Sequence, residues 1–233
     1  PSSARAISSR VGSGCFASHV ITRTNALAHK PADWSFESAA TVPTVFFTVY
    51  YALKHLADLQ AGEKILIHGG AGGVGIAAIQ FALHLGAEVF ATAGSEDKRD
   101  FVALLGADHV LDSRSLAFAD QVMGITKGVG VDVVLNSLAG EALRRSLDVL
   151  KPFGRFLELG KRDFFENTPI GLRPFRNNIS YFGIDADQLL KKADMALYAA
   201  KNGGGGNHCF FAMEMEDAAQ ERRALELDLR EAL

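Results

Sequence analysis

Gly70, Gly72 and Gly75 stand in the spacing G-x-G-x-x-G within KILIHGGAGGVGIAAIQFALHLGAEVFATA, residues 64–93. Glycines at this spacing do their chemistry through the backbone. A pyrophosphate can rest on a helix N-terminus only where N–H groups come close to it, and a Cβ at Gly72 would block that approach. The loop candidates are Gly70, Gly72, Gly73, Val74 and Gly75. Residues 65–67 ahead of them form a short aliphatic run suited to a strand buried on both faces. Residues 74–85 carry helical apolar spacing, and after the turn at Gly86 a second apolar run covers 89–91. Strand, glycine loop, helix, strand is the context in which this spacing reads as a dinucleotide fingerprint. The alternative is a tight turn packed closely for structural reasons alone.

The end of the second strand usually separates the two nicotinamide cofactors, because an acidic residue there accepts hydrogen bonds from the ribose 2′-hydroxyl of NAD. Here that place reads Ala91-Thr92-Ala93-Gly94-Ser95, with no carboxylate before Glu96 and with Lys98 and Arg99 directly after. A small hydroxyl residue with a cation one helical turn away suits a 2′-phosphate, so the pattern points to NADPH. Ser95 also fits a helix N-cap, with Lys98 and Arg99 as solvated first-turn residues.

The elements that must hold these residues follow from the rest of the chain. Residues 1–14 are small and polar without periodicity and read as linker, and 16–22 suits a strand. Ser35 fits the N-cap of a short helix ending before Pro43. Residues 44–59 have apolar positions at 45, 46, 49, 53 and 56, the pattern of one amphipathic helix. Helices at 97–105, 116–126 and 141–150 alternate with strands at 109–111, 131–135, 155–159 and 179–184. Six parallel strands with crossover helices make an α/β, Rossmann-type doubly wound sheet. Ligands of such sheets gather outside the strand C-terminal ends, which singles out the glycine loop, Asn136, Ser137, Gly160 and Lys161.

Composition sets outer bounds. The 233 residues are 48% hydrophobic and 22% charged, ordinary for a globular chain. A net charge of −3 without a Lys/Arg cluster argues against nucleic acid and against anionic membranes as partners. Cys15 and Cys209 have no metal or disulfide spacing, which fits no metal site and a reducing cytoplasm. Residues 65–87 carry no formal charge, but the glycine interruption and His68 favour a buried strand and helix over a membrane span. The first residues lack a signal-peptide pattern, and Pro1 suggests a fragment boundary.

Longer motifs carry a resemblance. VPTVFFTVYYAL (42–53), IHGGAGGVG (67–75), FATAGSEDKR (90–99), VLDSRSLAFADQV (110–122), GVDVVLNSLAGE (130–141) and LGKRDFFENTPIGLRPFRNNISYFGID (159–185) occur in this order. Together they resemble the enoyl reductase domain of modular polyketide synthases, a zinc-free branch of the medium-chain dehydrogenase/reductase superfamily, from about Gly14 to Leu190. The resemblance implies an NADPH-dependent oxidoreductase that delivers a hydride to the β-carbon of an enoyl thioester, held on an acyl carrier protein or CoA, within a multidomain synthase. It adds Thr48, Ser113 and Arg114 to the cofactor contacts beside Ser95, Lys98, Asn136, Ser137 and Gly160. It assigns support of α-carbon protonation to Lys161, in the GK-x-D motif, and to Asp185, closing Y-x-x-x-D. The alternative for that pair is a surface ion pair at the ends of adjacent strands.

Two departures from the family stand out. Family members carry a GroES-like substrate domain, of which residues 1–30 retain a remnant and linker at most, ahead of an NADP-binding domain at 31–190. Residues 191–233 instead resemble the end of a GGDEF-type diguanylate cyclase domain, with a glycine joint at 203–206 and an amphipathic helix at 221–233. A binding-only relic, a quinone oxidoreductase-like enzyme and a cyclic-dinucleotide signalling fragment are the competing readings, and a homodimer is left open.

Overall fold

The computed structural model describes residues 6–8, 27–185 and 188. The chain divides into two compact units, Pro1–Ser9 with Leu27–Ile184 and Arg10–Ala26 with Asp185–Leu233, and of the second only Asp185 and Gln188 are described. The strand expected at 16–22 and the whole tail from 191 onward lie outside the described residues.

β1 (Ala6–Ser8) pairs antiparallel with β2 (Leu27–His29), Ala6 opposite His29. Residues 6–8 therefore form a strand where the sequence suggests linker, because the partner lies far along the chain and leaves no local pattern. Ser35 caps α1 (Phe36–Ala40), its hydroxyl accepting the Ser38 N–H at 3.1 Å. α2 (Val42–Val49) starts with Pro43 in its first turn, where a missing N–H costs nothing.

The helix expected at 44–59 is two segments. After Val49 the backbone widens into a π-helix over Tyr50–Leu56, closed by Ala57 N–H donating to Ala52 O at 3.0 Å. The wider turn changes which residues face inward: Ala52, Leu53 and Ala57 are buried, while Leu56 is only half-buried.

β3 (Lys64–Ile67), α3 (Gly73–His84), β4 (Glu88–Ala93), α4 (Glu96–Leu104), β5 (His109–Asp112), α5 (Ala117–Ile125), β6 (Val131–Asn136), α6 (Glu141–Asp148) and β7 (Leu150–Glu158) alternate as expected. α7 (Arg162–Phe165) and a 3₁₀ turn at Arg173–Asn177 lead to β8 (Ser180–Gly183). The six strands β3–β8 form one all-parallel sheet in the order β5-β4-β3-β6-β7-β8, a Rossmann-type α/β fold. β7 begins five residues earlier than the expected 155, because residues 151–154 are an irregular insert within the strand. Val131 pairs with Leu150 and Val133 already with Arg155. At the insert Phe153 takes φ +64°, and a Cβ on Gly154 would lie 2.8 Å from a Leu150 methyl.

Register aligns one apolar row across the sheet: Phe90, Leu66, Val134, Phe156 and Tyr181. The Phe156 and Tyr181 rings stack at 5.1 Å, and Phe118, Val122, Leu143 and Leu147 of α5 and α6 close the same core. Two residues further along each strand the side chains return to that face, and there the row is polar: Thr92, His68, Asn136 and Glu158, all buried. Among the described residues no helix is long and apolar enough to cross a membrane.

His68 anchors one half of the polar row. Its Nε2 lies 2.8 Å from Ser146 Oγ and its Nδ1 3.0 Å from Thr92 Oγ1. Ser146 Oγ donates to Ala142 O at 2.7 Å, so it must accept from His68, which places the imidazole proton on Nε2 and makes Nδ1 the acceptor for Thr92. Burial pushes His68 down from 6.5 to about 3. The unfolded chain therefore takes up a proton below pH 6.5 that the native chain refuses, and stability present above that pH is lost as pH falls toward 3. The expected loss is on the order of 4 kcal/mol over that window. Urea midpoints measured from pH 7 to pH 4 should show it, and His68→Gln should remove most of that slope.

Candidate functional site

The turn between β3 and α3 is built by three glycines with different duties. Gly69 sits at φ +69°, where other residues are strained. Gly70 donates its N–H to Thr92 O at 2.8 Å, and a Cβ on it would meet Ala91, Ile79 and Val102 side-chain atoms at 3.3 Å. A Cβ on Gly75 would lie 2.2 Å from Gly69 O and 2.7 Å from Gly70 Cα, so α3 rests directly on the turn that launches it.

Gly72 differs from all three. It occupies the N-cap of α3 in extended backbone, φ −84° and ψ 164°, and an added Cβ would meet only Gly69 O at 3.3 Å. Its fold role is slight. The first bond of α3 is Ile76 N–H to Gly72 O at 2.8 Å, so the N–H groups of Gly73, Val74 and Gly75 have no acceptor within the helix. A row of donors at the positive end of a twelve-residue helix is suited to an anion. α2 flanks this turn: a Cβ on Gly73 would meet Val45 at 3.5 Å. Thr48 is buried on the same helix, with its hydroxyl donating to Thr44 O at 2.8 Å.

At the end of β4, Ser95 holds the N-cap position of α4, yet its side chain makes no capping hydrogen bond. Lys98 is exposed, and Arg99 is turned to Asp112 at 3.7 Å. Ser113 and Arg114 reach the β4 end from β5: a Cβ on Gly94 would lie 3.4 Å from Ser113 Oγ and 3.3 Å from Arg114 Nε. Ser95, Ser113 and Arg114 thus converge on Gly94. The Arg114 turn is fixed by its N–H donating to Asp112 Oδ1 at 2.9 Å.

The ends of β6 and β7 form the third part. Ser137 Oγ lies 3.4 Å from His68 O, which it faces as donor. Asn136 Nδ2 donates to Glu158 Oε2 at 2.6 Å and to Leu138 O at 2.7 Å. Gly160 N–H donates to the other oxygen of Glu158 at 2.5 Å. Burial pushes the Glu158 carboxyl up to about 7 against the opposing pull of these two donors, and the nearby Asp163 raises it further. Asp163 itself accepts the Gly140 N–H at 2.9 Å. Lys161 is exposed at the N-cap of α7. Asp185 belongs to the second unit, where its Oδ1 accepts the Gln188 N–H at 3.4 Å.

Glu158 is the residue that sequence reasoning passed over. Its only signal is a single carboxylate inside the apolar run Phe156-Leu157-Glu158-Leu159. Among the described residues no group of three or more His, Cys, Asp or Glu side chains is placed to hold a metal ion.

Residues 73–200 match the family model described as zinc-binding dehydrogenase. The chain is 51% identical over 165 residues to a highly reducing polyketide synthase, AN6791, of Emericella nidulans, covering 70% of this chain and 6% of that relative. It thus spans a small part of the curated relatives it matches. Among solved structures, it resembles the CurK enoyl reductase at 42% identity and TM-score 0.65, covering 80% of this chain and 57% of that one. It also resembles the nucleotide-binding subdomain of the enoylreductase domain of PpsC from Mycobacterium tuberculosis at 40% identity and TM-score 0.59, covering 67% of this chain and 94% of that one.

The division of labour among the glycines is directly testable by unfolding. Gly75→Ala should destabilise the chain by about 2 to 3 kcal/mol, since backbone must move to admit the methyl group. Gly72→Ala should cost less than about 1 kcal/mol. Equal losses in denaturant titrations of the two variants would show that Gly72 is also a packing residue.

Proposed function

We propose that this chain, which belongs to the zinc-binding dehydrogenase family and within it to the enoyl reductase domains of polyketide synthases, is the cofactor-binding part of an NADPH-dependent enoyl reductase. The observation that carries this reading is the turn at Gly72, which is open to an incoming group and faces three N–H donors without helical acceptors. When bound, the reduced nicotinamide supplies the hydride for the β-carbon of an α,β-unsaturated acyl thioester. The chain's own residues do the rest. Gly73, Val74 and Gly75 would hold the pyrophosphate through backbone N–H groups, with Gly72 leaving room for its approach. Ser95, Ser113 and Arg114 would hold the 2′-phosphate, with Lys98 adding charge from the surface.

Thr48, Asn136, Ser137 and Gly160 would line the remainder of the cofactor site. Lys161 would stand as proton donor for the α-carbon, and the resemblance assigns Asp185 to the same step. The thioester would arrive on a carrier protein or CoA within a multidomain synthase, in the cytoplasm. Residues 31–190 would form the NADP-binding domain, with 1–30 and 191–233 as attachments to it.

Cofactor preference separates this reading from an NAD site. Fluorescence titration should give NADPH an affinity about tenfold or more above NADH, since a charge-assisted contact to the extra phosphate is worth roughly 1.5 to 3 kcal/mol. Arg114→Ala should narrow the gap mainly by weakening NADPH. Equal affinities in the unaltered chain would remove the 2′-phosphate assignment.

Turnover is a separate matter, because holding the reacting carbon near the nicotinamide supplies roughly 7 to 11 kcal/mol of barrier reduction. The 80% of this chain that aligns covers 57% of the CurK enoyl reductase chain. Assayed as this polypeptide, the chain should bind NADPH yet reduce crotonyl thioesters slowly. Adding a GroES-like substrate domain should raise the rate by orders of magnitude, and Lys161→Ala should lower it again. Fast turnover without that addition would mean that the cleft is complete within these residues.

A further inference from the structure

Glu158 lies in the sheet interior at the C-terminal end of β7, 1% exposed, with no cation bonded to it among the described residues. Each carboxylate oxygen is taken by a donor from a different strand-end turn. Oε2 receives the amide of Asn136, its register partner on β6, and Oε1 receives the Gly160 N–H of its own turn. The same Asn136 side chain closes the β6 turn by two bonds to Leu138, Nδ2 to Leu138 O at 2.7 Å and Leu138 N–H to Oδ1 at 3.2 Å. A buried carboxylate without a neutralising cation is costly to keep, and an apolar residue would fill this place more cheaply. What only a carboxylate does here is accept two donors at once.

We propose that Glu158 is a positioning residue, a clamp that locks the Asn136–Leu138 turn and the Gly160–Lys161 turn into one rigid edge against which the nicotinamide half of the cofactor is held. This rests on the cofactor reading given above. Lys161 rides on the clamped turn, so its placement depends on the same two hydrogen bonds. Gly160 confirms how tight the fit is, since a Cβ there would lie 2.6 Å from Glu158 Oε1.

The clamp works only while Glu158 is ionised, because a protonated carboxyl presents a donor to one of two donors. The ionisable groups facing it are Asp163 of α7 and Tyr181 of β8, whose phenol is itself pushed up by burial and by these two carboxylates. β6 contributes the neutral Asn136. With a carboxyl that titrates at about 7, the clamped fraction falls roughly tenfold between pH 8.5 and pH 6, and apparent cofactor affinity falls with it.

The test uses two readouts on the whole chain, the amide chemical shift of Gly160 without cofactor and the dissociation constant of NADPH, each across pH 6 to 8.5. The Gly160 amide should titrate with a midpoint near 7 in the unaltered chain and stay flat in Glu158→Gln, which keeps the shape and loses the second acceptor. NADPH should bind roughly tenfold more weakly at pH 6 than at 8.5 in the unaltered chain, beyond the change seen in Glu158→Gln, which carries the cofactor's own phosphate titration. Gly160→Ala should weaken binding at pH 8.5 by pushing the Glu158 carboxyl out of the clamp without removing it. A Gly160 amide that does not titrate, or that titrates equally in Glu158→Gln, overturns the clamp. A titrating amide with pH-independent NADPH affinity overturns the positioning role alone. Failure of NADPH to bind the unaltered chain at any pH overturns the cofactor reading, and the positioning role with it.

Discussion

The contact on which the rest of this structure depends is the seat of α3 on its own launching turn. A Cβ on Gly75 would fall 2.2 Å from Gly69 O, so the helix can lie this close to the turn only because that position has no side chain. The close seat fixes the direction of α3 relative to β3. It also aims the unsatisfied N–H groups of the first helical turn out over the strand ends. Gly70 holds the other side, bonded to Thr92 O and wedged among Ala91, Ile79 and Val102. A side chain at Gly75 would displace the helix, and with it the helical donors of the proposed pyrophosphate site.

Beyond that seat, the sheet sorts its own interior by row. Phe90, Leu66, Val134, Phe156 and Tyr181 make an apolar row in register, and one step along the same face Thr92, His68, Asn136 and Glu158 make a polar one. Each member of the polar row is satisfied by a neighbour in the row or by a turn or helix at the sheet's C-terminal end. Side chains rather than backbone alone join the β6 turn to the β7 turn through Asn136 and Glu158, and Ser137 reaches back to the glycine turn at His68 O. Stability and site geometry therefore draw on the same hydrogen bonds.

The elements that the sequence made legible are those whose pattern is local. Aliphatic runs such as Val131 to Leu135 and the glycine spacing before α3 could be placed to within a residue or two, since burial on both faces leaves no polar positions to confuse the reading. What was not legible depends on partners distant in sequence. The strand at 6–8 exists through its pairing with 27–29. The π-helix at 50–56 shows only as a face that shifts from Leu56 to Ala57, and the insert in β7 looks like a Pro/Gly loop until its flanks are seen to share one strand. At the candidate site, Ser95 and the glycines were legible by spacing. Ser113 and Arg114 entered as cofactor contacts through family resemblance, their convergence on Gly94 needed the fold, and the role of Glu158 needed the register of β6 against β7.

The strand order carries a consequence for how the chain is made. β3 sits at the centre of the sheet, between β4, which follows it at once, and β6, which lies beyond two further strand and helix units. During synthesis the first edge of β3 is covered early, while its second edge stays open until residues 131–136 have left the ribosome. That edge is apolar and unpaired for the whole interval, a template for pairing with another nascent chain. Pairings this distant also slow the final closure of the sheet. The α5 segment, Ala117–Ile125, which lies between and carries Phe118 and Val122 into the core beside Leu66 and Phe90, emerges after α3 and α4 and is the last helix made before the strand that closes this edge.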